Sequence, residues 1–326
     1  MSELGAAYAR TNRDRSETKV LPEAFARPLW VSDRLFPFQS RFTTVGDARI
    51  HYVDRGSGPT LLLLHGSPMW SFLFRNTIGA LSNQFRCIAV DMPGLGLSSA
   101  PVARGQEFER MANYYQKLVR QLALSDFILV MHATAGPPGL RMAISERDRI
   151  RGMVITNSFG WSMRGYPTMW RFVRIVSSPP FRFLTEWLNL LPRITIRAAR
   201  TTGKFDGAER GATLGPYQNR DARRHLASLL YGLKAEVPFF ERLEADLKAL
   251  RALPTLLLYG AKDHGYQAGF LDRWKRLLPN NSVTLLSNSA HFPQEDEPDA
   301  YTSALLNWLK CLSDSPAALI SGAQRD

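Results

Sequence analysis

Residues 126–139 read DFILVMHATAGPPG and combine an apolar run with a cluster of small residues and prolines. The first half of this stretch is apolar without polar alternation, which is typical of a strand buried on both faces of a sheet. Small residues and then Pro137 and Pro138 follow. Prolines suit the first turn of a helix because the N–H groups there lack helical partners. The stretch therefore predicts a buried strand that turns sharply into a helix.

Similar apolar runs lie on both sides of this stretch and alternate with amphipathic segments. The other strand-like runs are RFTTV, RIHYVD, TLLLLHG, FRCIAVDM, RGMVITN, PTLLLYG and SVTLLSN. The amphipathic segments lie at about 71–83, 106–124, 136–147, 267–278 and 296–312. This alternation predicts an α/β fold with a mostly parallel central sheet and helices on both of its faces.

The alternation is interrupted once, between the strand ending near Thr156 and the strand beginning at Pro254. Residues 159–235 are helical in pattern and rich in aromatics, so we expect them to form a cap inserted over the C-terminal edge of the sheet. The core domain then comprises residues 36–158 and 236–326. Residues 1–35 are polar and turn-rich, and we expect them to form an N-terminal lead-in.

Most of the positive charge lies in the cap. The formal net charge is +12, and residues 161–230 hold twelve Lys/Arg against four Asp/Glu. One interpretation is a solvated helical surface on which arginine stems pack against apolar neighbours. The other is a platform for an anionic substrate or an acidic carrier protein. Nucleic acid is not an expected partner, because no basic run is interleaved with aromatics and no recognition motif is present.

The composition excludes several classes of protein. Hydrophobic residues make up 45% of the 326 residues and charged residues 21%, which excludes a globally disordered chain. Two cysteines, Cys87 and Cys311, cannot form a disulfide framework or a four-ligand zinc site, so no metal is expected. Gly94 and Gly96 lack the third glycine of a dinucleotide-binding loop, and no cofactor is expected. Because the N-terminus has no apolar signal region and no apolar run reaches about eighteen residues, we expect a cytoplasmic protein without a transmembrane segment.

Side chains with catalytic potential follow two of the predicted strands. Ligands of α/β sheets bind at the carboxyl ends of the strands, so residues just past those ends are privileged. Asp263 follows PTLLLYG, and His291 follows the last strand. A carboxylate and a histidine placed in this way are what an orienting acid and a general base require. His132 lies at the turn, but strand alternation should point its side chain away from the pocket into packed surroundings. No comparable context surrounds His51, His225 or His264.

Five motifs along the chain resemble the haloalkane dehalogenase family of the α/β-hydrolase superfamily. They are HGSPMWSFLFRN, FRCIAVDMPGLGLS, ATAGPPG, LLLYGAKD and HFPQEDEPD, in this order. The matches extend from about Phe36 to Trp308, which is nearly the whole chain. The resemblance implies an α/β-hydrolase fold with a helical cap at residues 159–235, and a small-molecule substrate.

The resemblance also implies roles for five residues. The family pattern at the turn, Asp-Trp-Gly-Gly-Pro-x-Gly, places Ala133 where the nucleophilic aspartate belongs. The family's two halide-holding side chains, an Asn and a Trp, correspond to Ser67 and Thr134, whose hydroxyls form a poorer halide cradle. The backbone N–H groups of Ser67 and Thr134 are expected to face a carbonyl oxygen that gains negative charge. Asp263 would orient His291, which would act as the general base.

Ala133 allows three explanations. The chain is an inactivated variant whose parent has an aspartate there, or a natural protein whose Asp263–His291 pair activates water or abstracts a proton directly. Thr134 as a replacement nucleophile is the third. With an aspartate, we expect covalent catalysis through an ester or anhydride that is cleaved by water activated by His291. A non-catalytic alternative is a pseudoenzyme that binds a small apolar ligand.

The hydroxyls at 67 and 134 shift the expected leaving group from halide toward a substrate oxygen. A lactone, ester or epoxide is then favoured over a halide, and some relatives in this family are β-lactone decarboxylases. Aromatic residues of the cap also favour an apolar substrate. They are Trp161, Tyr166, Trp170, Phe172, Phe181, Phe183 and Trp187.

Overall fold

An eight-stranded sheet lies at the centre of the computed structural model, which describes residues 27–103, 105–198, 201 and 205–313. The strands are β1 (Ser40–Val45), β2 (Ala48–Arg55), β3 (Thr60–Leu64), β4 (Arg86–Val90), β5 (Phe127–His132), β6 (Ile150–Thr156), β7 (Thr255–Gly260) and β8 (Asn281–Leu286). Their order is β1-β2-β4-β3-β5-β6-β7-β8. Only β2 runs antiparallel to its neighbours, β1 and β4. The predicted α/β fold with a mostly parallel sheet is confirmed.

Helices cover both faces of the sheet. In the described residues they are α1 (Arg75–Leu81), α2 (Glu107–Gln121), α3 (Gly136–Ser145), α4 (Pro167–Val176), α5 (Pro179–Leu188), α6 (Leu190–Ala198), α7 (Gly207–Leu214), α8 (Arg220–Ala235), α9 (Val237–Asp246), α10 (His264–Gln267), α11 (Phe270–Leu277), α12 (Pro293–Asp296) and α13 (Pro298–Ser313). α2, α3 and α11 contribute to the apolar cluster on one face, and α1 and α13 to the cluster on the other.

The lack of polar alternation in the strands follows from this double cover. Successive side chains of a strand point to opposite faces. On β3, Leu62 and Leu64 therefore join one cluster, and Leu61 and Leu63 join the other. All four are almost completely buried. Since both faces are apolar, every position from Leu61 to Leu64 is apolar.

The segment between β6 and β7 contains helices and no strands in its described residues. α4 and α5 pack against α8, and α5 also contacts α6. α7 is joined to the core by the indole of Trp70, which donates a hydrogen bond to the carbonyl of Ala212 at 3.0 Å. The predicted cap at 159–235 falls within this segment, and its exact boundaries stay a prediction.

The described part of the predicted lead-in begins at Arg27 and packs on the core. The Trp30 ring lies edge-on to Trp70, with centroids 5.4 Å apart, and Phe36 is buried against the same indole. Residues 1–26 lie outside the described residues. Within the described part of the chain, no helix is both long and apolar enough to cross a membrane.

Candidate active site

A sharp bend joins β5 to α3 at the carboxyl edge of the sheet. Ala133 follows the last residue of β5 and has a φ of 48°, a left-handed conformation that costs a non-glycine residue roughly 1–2 kcal/mol. Its carbonyl accepts a hydrogen bond from the Ser158 hydroxyl at 2.6 Å. A Cβ at Gly66, after β3, would lie 2.6 Å from the Cβ of Ala133. The two chain segments approach this closely only because residue 66 is glycine.

Asp263 and His291 form a hydrogen-bonded pair at the same edge. Nδ1 of His291 lies 2.7 Å from Oδ2 of Asp263. Oδ1 of the carboxylate accepts the backbone N–H groups of Gly265 and Tyr266 at the start of α10. Because those amides hold the carboxylate in place, its hydrogen bond to Nδ1 orients the imidazole of His291. Asp263 is 4% exposed and the His291 side chain 32% exposed, and no described residue bonds to Nε2. This nitrogen is therefore available to take a proton.

The loop that carries His291 is held by two residues that the sequence reasoning did not assign to it. The amide of Asn157, after β6, donates to the carbonyls of Ala290 and His291 at 2.8 and 3.1 Å. Its Oδ1 accepts the N–H of Gly260 at 3.0 Å. Asn157 thereby ties the ends of β6 and β7 to the histidine loop. Its position directly after β6 was the available signal.

His132 also holds the histidine loop. Its Nε2 lies 2.8 Å from the carbonyl oxygen of His291, and the two imidazole rings are 5.1 Å apart. Burial lowers the pKa of His132 well below its usual value, so the ring is neutral and Nε2 carries the proton that it donates. The expected packing role fits this burial. Since His132 directly precedes Ala133, the contact places the loop that carries His291 next to the bend.

Ser67 and Thr134 bind each other across the bend. The backbone N–H of Ser67 donates to Oγ1 of Thr134 at 2.8 Å, and that hydroxyl donates to Oγ of Ser67 at 3.1 Å. This differs from the expectation that the Ser67 N–H faces a substrate oxygen. The amide is already satisfied, because threonine supplies an acceptor where the family has an indole. The two hydroxyls are thus largely occupied by protein contacts, and the Ser67 hydroxyl proton is left as a donor.

A second Asp–His pair lies in the core, although the sequence indicated no role for His51. Oδ2 of Asp91 lies 2.8 Å from Nδ1 of His51, and both residues are fully buried. Nε2 of the imidazole lies 3.0 Å from the hydroxyl of Ser40. The carboxylate also accepts the N–H groups of Ser71 and Leu97. It therefore joins β2 to the loops after β3 and β4, and the burial of His51 excludes substrate from that imidazole.

The cap aromatics do not form a common lining around these residues. Trp161 is fully buried and packs on Trp274, with centroids 4.7 Å apart. Phe172, Phe183 and Trp187 are instead about half exposed on the outside. Their positions give no support to an apolar pocket built by the whole aromatic set.

A cavity of about 600 Å³ is lined by residues outside the predicted site. It is bounded by the loop 94–102, by Pro28 and Trp30, and by the start of α8 near His225. Its lining includes none of the five predicted site residues. Four of those residues, Ser67, Ala133, Thr134 and Asp263, are less than 10% exposed. His291 is therefore the most accessible member of the site.

Within the described part of the chain, no group of three or more His, Cys, Asp or Glu side chains is placed to hold a metal ion.

The chain is similar to known enzymes over most of its length. The model of the α/β-hydrolase fold family matches residues 59–298. Haloalkane dehalogenase 2 of Mycobacterium bovis is 34% identical over 275 residues, which cover 84% of this chain and 96% of that protein. Cis-3-alkyl-4-alkyloxetan-2-one decarboxylase of Shewanella oneidensis is 26% identical, with 82% of this chain and 87% of that protein covered.

Solved structures share the same fold. Haloalkane dehalogenase DbeA of Bradyrhizobium elkani superposes with a TM-score of 0.76 at 21% identity, covering 85% of this chain and 99% of the other. A putative ancestral haloalkane dehalogenase gives 0.75 at 22% identity, with 84% and 100% covered. At 21–22% identity these superpositions show a shared fold only. The sequence match at 34% identity shows common ancestry. The chain belongs to the α/β-hydrolase family, among the haloalkane dehalogenases and their relatives.

Proposed function

We propose that this site is that of a hydrolase acting on a small, largely apolar electrophile, with residue 133 at the nucleophile position. Asp263 orients His291, and His291 serves as the general base. The observation that carries the proposal is the 2.7 Å Asp263–His291 contact beside a bend that keeps a left-handed φ at Ala133. The left-handed φ costs energy and gives the methyl group of an alanine no function. The same backbone conformation would present a nucleophilic side chain to a substrate.

The methyl group of Ala133 cannot attack an electrophile, so a covalent step through residue 133 is absent from this chain. We therefore treat the chain as an inactivated form of such an enzyme. Halides, epoxides, esters and lactones are the candidate substrates. The mutual hydrogen bonds of Ser67 and Thr134 disfavour a halide, because a leaving anion would have to compete with them.

The second candidate is catalysis by the Asp263–His291 pair alone, through activated water or direct proton abstraction. The free Nε2 of His291 favours it, since a base needs no further residue for either step. The decarboxylase relative is named for an oxetan-2-one, which is a β-lactone, and this supports testing β-lactones for both candidate functions.

Restoring a carboxylate tests the covalent proposal. Ala133→Asp should turn over at least one substrate among haloalkanes, epoxides, esters and β-lactones, and Ala133→Asn is the matched control without a nucleophile. Ala133→Asp combined with His291→Phe should accumulate a covalent adduct, detectable as a mass increase on the peptide containing residue 133. Equal, background rates for Ala133→Asp and Ala133→Asn on every substrate would reject the proposal.

The unaltered chain tests the second candidate. If the pair acts alone, residual turnover by this chain should disappear in His291→Ala. Turnover that survives this change would show that the imidazole is not the base.

A further inference from the structure

Large apolar side chains are exposed on one part of the cap. Six of the nine exposed large hydrophobic residues in the described chain lie between 172 and 194. They are Phe172 and Ile175 on α4, Phe183, Trp187 and Leu188 on α5, and Ile194 on α6. Their exposed fractions run from 46% to 59%. A concentration of exposed apolar side chains in one short segment is typical of an interaction surface.

The three helices that carry these side chains pack on one another, α4 against α5 and α5 against α6. α4 and α5 rest on α8, and they bury Val173, Val176 and Thr185. The exposed rings lie on other parts of the same helices, and Phe183 and Trp187 pack together with centroids 6.0 Å apart. We call the six exposed hydrophobic residues and the arginines among them the outer cap face.

Arginines dominate the charge of this face. Residues 164–197 contain six arginines and one acidic residue, Glu186. Five of the six arginines are exposed: Arg164, Arg171, Arg174, Arg193 and Arg197. None of these five has an acidic partner among the described residues. Glu186 is already bound by Arg220 and Arg224 of α8. The outer cap face is therefore positive as well as apolar.

We propose that the outer cap face binds the surface of an anionic lipid bilayer. Aromatic and aliphatic side chains interleaved with arginines are the composition of helices that lie in the plane of a membrane interface. Arginine stems can extend along the apolar residues while the guanidinium groups reach lipid phosphates. The apolar residues are distributed over three helices, an arrangement that suits a broad lipid surface better than a single peptide.

Vesicle flotation tests this proposal on the full chain. Phosphatidylcholine vesicles containing phosphatidylglycerol should bind the protein at least about tenfold more strongly than phosphatidylcholine alone, and salt should weaken the binding. Phe183→Ser combined with Trp187→Ser should weaken it by about tenfold or more, because two large apolar side chains are lost. Arg171→Glu combined with Arg174→Glu should have a similar effect.

Two matched pairs control for general changes in polarity and charge. Val283→Ser with Leu285→Ser removes apolar side chains of similar exposure from β8. Lys248→Glu with Arg251→Glu reverses exposed charges away from the outer cap face. Both control pairs should bind vesicles like the unaltered protein.

A quenching measurement on proteins with an intact fold supplies a second readout. Brominated lipid should quench more fluorescence in the unaltered protein than in Trp187→Phe, because that indole would enter the bilayer. No binding to anionic vesicles, or equal loss in the control pairs, would overturn the proposal. A dimer that becomes monomeric in Phe183→Ser/Trp187→Ser and ignores vesicles would assign the face to a second copy. Salt-sensitive binding to an acidic protein without vesicle binding would assign it to a protein partner.

Discussion

The buried carboxyl of Glu236 leads to a quantitative prediction about pH and stability. Glu236 precedes α9, and its two oxygens accept the N–H of Phe108 at 3.2 Å each, at the start of α2. The pKa of Glu236 is raised to about 7, chiefly by burial and in smaller part by the nearby charge of Glu107, while the hydrogen bonds from the α2 amides act in the opposite direction. The residue is 6% exposed. The protein therefore favours the neutral form of this acid.

The sign of the effect follows from the two pKa values. An ordinary glutamate has a pKa of 4.5, whereas that of the folded state is about 7. The difference corresponds to about 3 kcal/mol of unfolding free energy. This stability is fully present below about pH 4.5 and is lost as the pH rises through 7, because the folded protein must then hold a buried charge. Glu236→Gln removes the charge and the associated pH dependence.

Urea unfolding between pH 5 and pH 8 checks this prediction. The stability of Glu236→Gln relative to the unaltered protein should increase by about 2–3 kcal/mol over that range. Glu241→Gln removes an exposed carboxyl from α9 and is the matched control. If Glu236→Gln shows the same relative stability at both pH values, the assignment of a raised pKa to Glu236 is wrong.

Two further predictions concern hydrogen bonds around the site. Thr134→Val should lower the unfolding free energy by about 1–3 kcal/mol, because the buried N–H of Ser67 loses its acceptor. Thr134→Ser keeps the hydroxyl and should lose much less, and equal losses in urea unfolding would contradict this reasoning. Arg75→Met should cost about 3–5 kcal/mol, because the buried guanidinium binds Glu295 and Glu209. Arg75→Lys should lose less in the same assay, and a cost below about 1 kcal/mol for Arg75→Met would show that the pairs contribute little.

The sheet was predictable from sequence because its signal is local. The run from Leu61 to Leu64 has no polar position, which a strand tolerates only when both faces are covered. The helical segment after β6 was predictable for a related reason, since the apolar strand pattern stops at Thr156 and resumes near Thr255. Asp263 and His291 could be paired because parallel strands bring their carboxyl ends to one edge. The sequence therefore indicated which strand ends meet, and the structure places Nδ1 of His291 2.7 Å from Oδ2 of Asp263 there.

Contacts between distant segments were not predictable in the same way. The Ser67 N–H could face a substrate or a neighbouring side chain, and only the position of the Thr134 hydroxyl decides between these. Asn157 and His132 contact the carbonyl of His291 across about 130 to 160 residues of sequence. Side chains of this kind have no periodic pattern, so their partners depend on how the loops pack. A sequence motif therefore locates the reacting groups more reliably than the residues that hold them.

The cap and the histidine loop are held together by two carboxylates on α12. Asp296 accepts the N–H of Ala290 at 2.8 Å and the N–H of Thr201, in the cap segment, at 3.0 Å. Glu295 binds Arg75, and the same guanidinium binds Glu209 of α7 at 3.0 Å. The residue before His291 is thus linked to the cap through one side chain. Displacing Thr201 would therefore break a hydrogen bond of the same carboxylate that holds Ala290, the residue before His291. Displacing α7 would break the bond between Glu209 and Arg75, and that guanidinium also binds Glu295, the neighbour of Asp296 on α12. α12 thus links the segment between β6 and β7 to the loop that carries His291.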